Sequence, residues 1–166
     1  MKEFFNKIGW QFIILLLSLV ALIGGFGPSL ITSSNKSVSI FGVINYLGNG
    51  VSVGLVWALV FLLLGIAISI ITFVLTLLKV KFNGIGYLVI AMGICFLICG
   101  ILFSYGRLFA YISIKSTSGL ENLSSNYVGR GTIVCAVFSF LACLSSFFKG
   151  TKDVIKYKKE QTHEEY

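Results

Sequence analysis

Residues 53–78 read VGLVWALVFLLLGIAISIITFVLTLL, 26 consecutive positions without a charge or a proline. About 20 apolar residues, each rising 1.5 Å, suffice to cross some 30 Å of hydrocarbon as a helix, so this stretch predicts a membrane span. Three more stretches pass the same test, at about 8–26, 86–106 and 131–148. Each has a stop beside it: Gly27-Pro28 after the first, Lys79 and Lys81 after the second, Arg107 after the third, Lys149 after the fourth.

The composition agrees. Of 166 residues, 57% are hydrophobic and only 11% charged, with a mean hydropathy of +0.96. Soluble domains run nearer 45–50% apolar and about 25% charged, and disordered chains need low hydrophobicity and high charge. Both classes are excluded. The expectation is an all-α transmembrane protein: a four-helix domain over 1–148, outer loops at 28–52 and 108–130, and a charged cytoplasmic tail at 149–166.

Orientation follows the bias of Lys and Arg toward the cytoplasmic ends of spans. Four spans place both termini on the same side as the 79–85 connection. That side carries nine cations (Lys2, Lys7, Lys79, Lys81, Lys149, Lys152, Lys156, Lys158, Lys159) against four opposite (Lys36, Arg107, Lys115, Arg130). The expected setting is the cell (plasma) membrane with both termini cytoplasmic. Lys2 and Lys7 before an apolar run also describe a signal peptide. However, no A-x-A site follows, and the run is long for a signal core, so the first helix is expected to stay uncleaved.

Between lipid-solvated helices association comes from small residues that allow close approach and from a few hydrogen bonds. A seam in steps of three and four is present on every span. On the second it includes Gly65, Ser69 and Thr72, with Thr76 beyond; on the third, Gly86, Gly93 and Gly100; on the fourth, Ala136, Ser139 and Cys143; on the first, Ser18, Ala21 and Gly25. A seven-residue recurrence suits a left-handed four-helix bundle with crossing angles near +20°. In the outer loops, Val38 and Ile40 alternate with Ser37 and Ser39, and Ile112 and Ile114 with Ser113 and Lys115. Period-two alternation reads as short strands, here a small β-ribbon cap on the outer side. The competing reading continues the third helix through 108–114. Asn45, Gly48, Asn49 and Gly50 mark a turn into the second span.

The search for chemistry returns little. Cys95, Cys99, Cys135 and Cys143 all fall inside spans, so they read as small buried hydrophobes. Cys95 and Cys99 have zinc-like spacing, but no second pair accompanies them and His163, the sole histidine, is in the tail. No C-x-x-C exists for a membrane disulfide oxidoreductase. The acidic residues Glu3, Glu121, Asp153, Glu160, Glu164 and Glu165 avoid the spans, which argues against a carboxylate ion relay. No catalytic, cofactor-binding or metal site is expected, and no nucleic-acid partner. Arg107 and Arg130 at the outer span ends fit either headgroup anchors or an outer site for an anion or acidic partner. Lys149, Lys152, Lys156, Lys158 and Lys159 read as a lipid-facing basic tail attracted to anionic lipid of the inner leaflet.

The order of parts is a basic N-terminus, a span, an outer loop with Ser37-Val-Ser-Ile-Phe-Gly42, two spans joined by a tight basic turn, a second outer loop, a span and a charged tail. It resembles the small uncharacterised four-span membrane proteins of Gram-positive-type bacteria. Claudins share the layout only: their first-loop Trp and Cys pair are missing from 28–52. Layout carries no function of itself. The expected role is non-enzymatic association with another membrane protein or with further copies. The alternatives are a small channel or transporter subunit, with Ser69, Thr72, Thr76, Arg107 and Arg130 along a path, and, more weakly, a membrane immunity or stress protein.

Overall fold

Glycines and the single proline decide where the first helix stops. Helix α1, Lys2–Gly24, runs out through three tight turns: Gly25 N–H donates to Leu22 O, Phe26 to Ile23 O and Gly27 to Gly24 O, each at 3.0 Å. Pro28, which has no N–H and cannot continue a helix, then opens strand β1, Pro28–Ile31. It pairs antiparallel with β2, Ser37–Ser39, in the register Pro28↔Ser39, Leu30↔Val38 and Ile31↔Ser37, with an irregularity between Pro28 and Leu30. The remaining elements are α2, Val53–Leu77; α3, Ile85–Ser118; and α4, Arg130–Glu164. The computed structural model describes residues 2–31, 37–39, 53–78, 84–118 and 130–164, with side-chain surroundings for 8–27, 54–78, 84–105 and 130–159.

The described chain is thus almost wholly helical. Three helices hold apolar segments long enough to cross a membrane, Gly54–Leu77, Ile85–Tyr105 and Arg130–Lys159, and α1 adds the shorter run Ile8–Gly24. These are the helices of a membrane protein, where internal backbone hydrogen bonding removes the need for water. Four hydroxyls along them are satisfied within the same helix: Ser18 donates to Leu15 O, Thr76 to Thr72 O, Ser104 to Gly100 O and Ser146 to Ala142 O.

Neighbouring helices are antiparallel and close a ring. Gly86 meets Val154 and Gly150, Gly93 meets Ser146, and Gly100 meets Phe140, so α3 and α4 run in opposite directions. Trp10 lies against Phe148, Cys135 reaches Ala21 O and Gly24 meets Val134, which sets α4 against α1 in the same sense. Thr72 of α2 bonds to Gln11 of α1, and Gly65 of α2 faces Phe96 of α3. Each helix therefore packs on two others, in the order α1, α2, α3, α4 and back to α1. The interior is filled by Ile14, Leu62, Met92, Phe96 and Phe103, none more than 1% exposed.

One expectation needs correction. The alternation at Ile112–Lys115 is not a strand: α3 continues without a break to Ser118. Four alternating residues carry a weak signal, and adding a residue to an existing helix costs far less than starting a new element. The outer segment expected at 108–130 is correspondingly helical over its first part. Helix α4 also runs without a break into the charged tail expected from 149, where Gly86 and Ile90 of α3 still meet Gly150 and Val154. At 1.5 Å per residue, α3 and α4, of 34 and 35 residues, are about 50 Å long and overshoot a 30 Å core. Being antiparallel, they overshoot at opposite ends. The turn expected around Asn45–Gly50, and Lys36, Lys79, Lys81 and Glu121, lie outside the described residues.

Candidate functional site

The small residues named from the sequence are inside except Thr76, which is half-buried. Gly65, Ser69 and Thr72 on α2, Gly86, Gly93 and Gly100 on α3, and Ala136, Ser139 and Cys143 on α4 are buried. The third-span glycines face α4, whereas Gly65 receives the ring of Phe96 from α3. A Cβ placed on Gly65 would stand 2.7 Å from that ring, so the glycine is the socket for the largest fully buried side chain. The cysteines are free and buried. Cys135 Sγ donates to Ala21 O across the α1–α4 contact at 3.0 Å, and Cys99 Sγ lies 3.4 Å from Ser139 Oγ across α3–α4. Among the described residues no three His, Cys, Asp or Glu side chains converge on a common point.

Toward the end that holds the helix termini, the interior becomes polar. Gln11 of α1 is 1% exposed, and its Oε1 accepts from Thr72 Oγ1 at 3.3 Å, a hydroxyl that also lies 3.0 Å from Ser69 O. Trp10, one residue before Gln11, has its ring centroid 5.4 Å from that of Phe148. That contact sets Gln11 at the height of Phe148 and Lys149. Lys149 is itself buried, and its Nζ donates to both carboxylate oxygens of Asp153 at 2.5 and 2.7 Å. Lys149 lies 14 and 18 residues beyond Cys135 and Gly131, close to four and five whole turns at 3.6 residues each. It thus shares their α1-facing side.

This corrects one member of the expected basic tail. Lys149 does not face lipid: it ends the inward seam of α4 one turn after Ser146, and Asp153 supplies the counter-charge. Lys152, Lys156, Lys158 and Lys159 are exposed, with Lys152 Nζ 4.0 Å from the centroid of the Phe148 ring. Arg130 is the exposed first residue of α4. Arg107 lies in α3, eleven residues before its end, and its side chain lies outside those described. Sequence reasoning missed Gln11 and the Lys149–Asp153 pair. The available signals were a lone amide within an uncharged run and an i,i+4 spacing of opposite charges.

Ser69 Oγ is buried without a hydrogen-bond partner. An unpaired hydroxyl in an apolar interior costs about 1–3 kcal/mol, so Ser69→Ala is expected to hold or raise stability by about 1 kcal/mol in detergent unfolding. A loss of that size would mean the hydroxyl is bonded after all.

No protein-family model, curated protein or solved structure matches the chain.

Proposed function

We propose that the chain is a four-span protein of the cell membrane, with both termini cytoplasmic, that works without catalysis by associating with another membrane protein or with copies of itself. The observation that carries this reading is the filled interior. Phe96, Phe103, Met92, Leu62 and Ile14 occupy the middle of the bundle, so a partner meets the molecule on its outer faces or its connecting segments. Those faces present large apolar side chains such as Phe12, Ile23, Trp57, Leu63 and Leu144, each about half exposed or more.

Other details support the finer points. The run Ile8–Gly24 spans about 26 Å at 1.5 Å per residue, near the thickness of a thin bilayer, which supports α1 as the remaining span. Gly86, Gly93 and Gly100 each meet α4, and such seven-residue spacing supports a left-handed crossing. Strand β1 contacts α4, which supports the ribbon as a cap over that end. The channel alternative loses two of its lining residues, since Ser69 and Thr72 are covered inside one bundle and cannot line a path between copies.

The test is reconstitution of the full chain at low density in liposomes, with a fluorescent reporter after Tyr166. Association predicts multi-step photobleaching, or covalent crosslinking to one membrane protein in the native membrane. Single-step bleaching with no crosslinked partner, together with solute flux, would replace this reading by the transport one. A reporter digested from outside intact cells would overturn the orientation.

A further inference from the structure

The outward face of α4 is apolar for most of its length and then becomes cationic. Val137, Leu141, Leu144 and Phe148 point away from the bundle. At 100° per residue, Lys152, Ile155 and Lys159 continue that same stripe within about 40° of Phe148, and all three are exposed. Lys152 stands about one turn, ~6 Å, beyond Phe148 on this stripe, within reach of the phosphate of a lipid whose chain lies along Leu141 and Leu144.

Two features make this more than a run of lysines. Lys152 is held in place: its Nζ stands 4.0 Å over the Phe148 ring, and that ring packs on Trp10 of α1. The cation thus rests on a ring that itself contacts the indole of a second helix. The charge is also segregated. Asp153 is the sole acidic residue of α4 before Glu160, and it is turned inward onto Lys149. Among the described residues of α4 its carboxylate is therefore engaged away from Lys152.

We propose that Trp10, Phe148 and Lys152, with Lys159 two turns further on, form a binding site for the headgroup phosphate of an anionic phospholipid. The inference rests on the membrane-spanning reading above and goes beyond general attraction to a charged surface: it names a place on α1 and α4 and ranks the lysines. Lys158 has the same charge but lies about 120° from Lys152 around the helix, so it stands off the stripe.

The test uses the full chain with Trp57→Phe, which leaves Trp10 as the only indole, in liposomes of phosphatidylcholine with phosphatidylglycerol. Quenching of Trp10 by each lipid with brominated acyl chains gives their relative affinity beside it. A cation near the surface contributes a factor of about five, so phosphatidylglycerol is expected to be favoured about fivefold or more. Lys152→Gln removes most of that preference, Lys152→Arg retains it, and Lys158→Gln changes it less than twofold. Equal quenching by the two lipids in the parent chain overturns the site, as does an equal loss from Lys158→Gln, which would show diffuse attraction. Soluble glycerol phosphate added at millimolar concentration is expected to leave the preference unchanged; competition would assign the site to a free phosphate instead. Resistance to carbonate extraction, measured on the same liposomes, separates failure of the site from failure of the membrane-spanning reading.

Discussion

Gly131→Ala is expected to destabilise the protein by about 3 kcal/mol, the upper end of the range for overpacking a well-packed site, when unfolding is followed in detergent by circular dichroism. A Cβ at this position would lie 2.6 Å from Gly24 O, 2.9 Å from Gly27 O and 3.0 Å from Gly27 C. All three atoms are backbone, so no rotamer change relieves the clash. Gly24 O is also tied by the Gly27 N–H, and β1 starts at the next residue. Pushing α1 away therefore disturbs the turn, the ribbon and the α1–α4 contact together. Gly150→Ala meets Ile90 Cγ1 at 2.7 Å, with Gly86 O and Ile90 N both at 3.1 Å; its nearest obstacle is a side chain, so the loss is smaller. Gly9→Ala serves as the control. Nothing lies within 4 Å of its Cβ, and the higher helix propensity of alanine predicts a gain of up to about 1 kcal/mol. If Gly131→Ala and Gly9→Ala behaved alike, the close approach of α1 and α4 at this end would be wrong.

How far the chain could be read before folding depended on the kind of signal. The long uncharged runs were legible because one physical requirement, burying every backbone polar group away from water, acts on the whole segment at once. The seams were legible as stripes, but not their partners: Gly86, Gly93 and Gly100 could have faced either neighbour. The choice depends on the bulk across the gap, with Phe140 and Val154 of α4 filling the spaces these glycines leave. The 112–115 alternation misled because two periods of a pattern cannot outweigh the helix already running into it. Lys149 was grouped with the lipid-facing lysines because a tally of cations treats every lysine alike. Its place in the seam after Ser139 and Ser146, and Asp153 four residues on, was the better guide. Gln11 stood out only as a lone amide in an uncharged run, and only the packing of α1 on α2 shows what it bonds.

Breaking the Lys149–Asp153 pair from one side only is the other large effect. The two side chains are 8% and 18% exposed, and the ammonium reaches both carboxylate oxygens. Asp153→Asn leaves a buried ammonium facing a neutral amide, and stranding one partner of a buried pair costs about 3–5 kcal/mol. Because Asp153 retains some access to water, a loss near 3 kcal/mol is expected. Lys149→Met strands the more exposed partner, whose carboxylate can hydrate, so its loss is smaller, about 1–2 kcal/mol. Removing both charges reverses the sign of the argument. An apolar pair of similar volume avoids the desolvation of two ions, and such replacements are commonly neutral or stabilising. Lys149→Met with Asp153→Leu is therefore expected to recover most of the parent stability, giving a coupling energy of about 3–4 kcal/mol in the double-mutant cycle. Simple additivity of the two losses would instead mean that each charge reaches water independently. Lys149 would then belong with the outward lysines after all, and Asp153 would stand free to oppose the cationic stripe it is now turned away from.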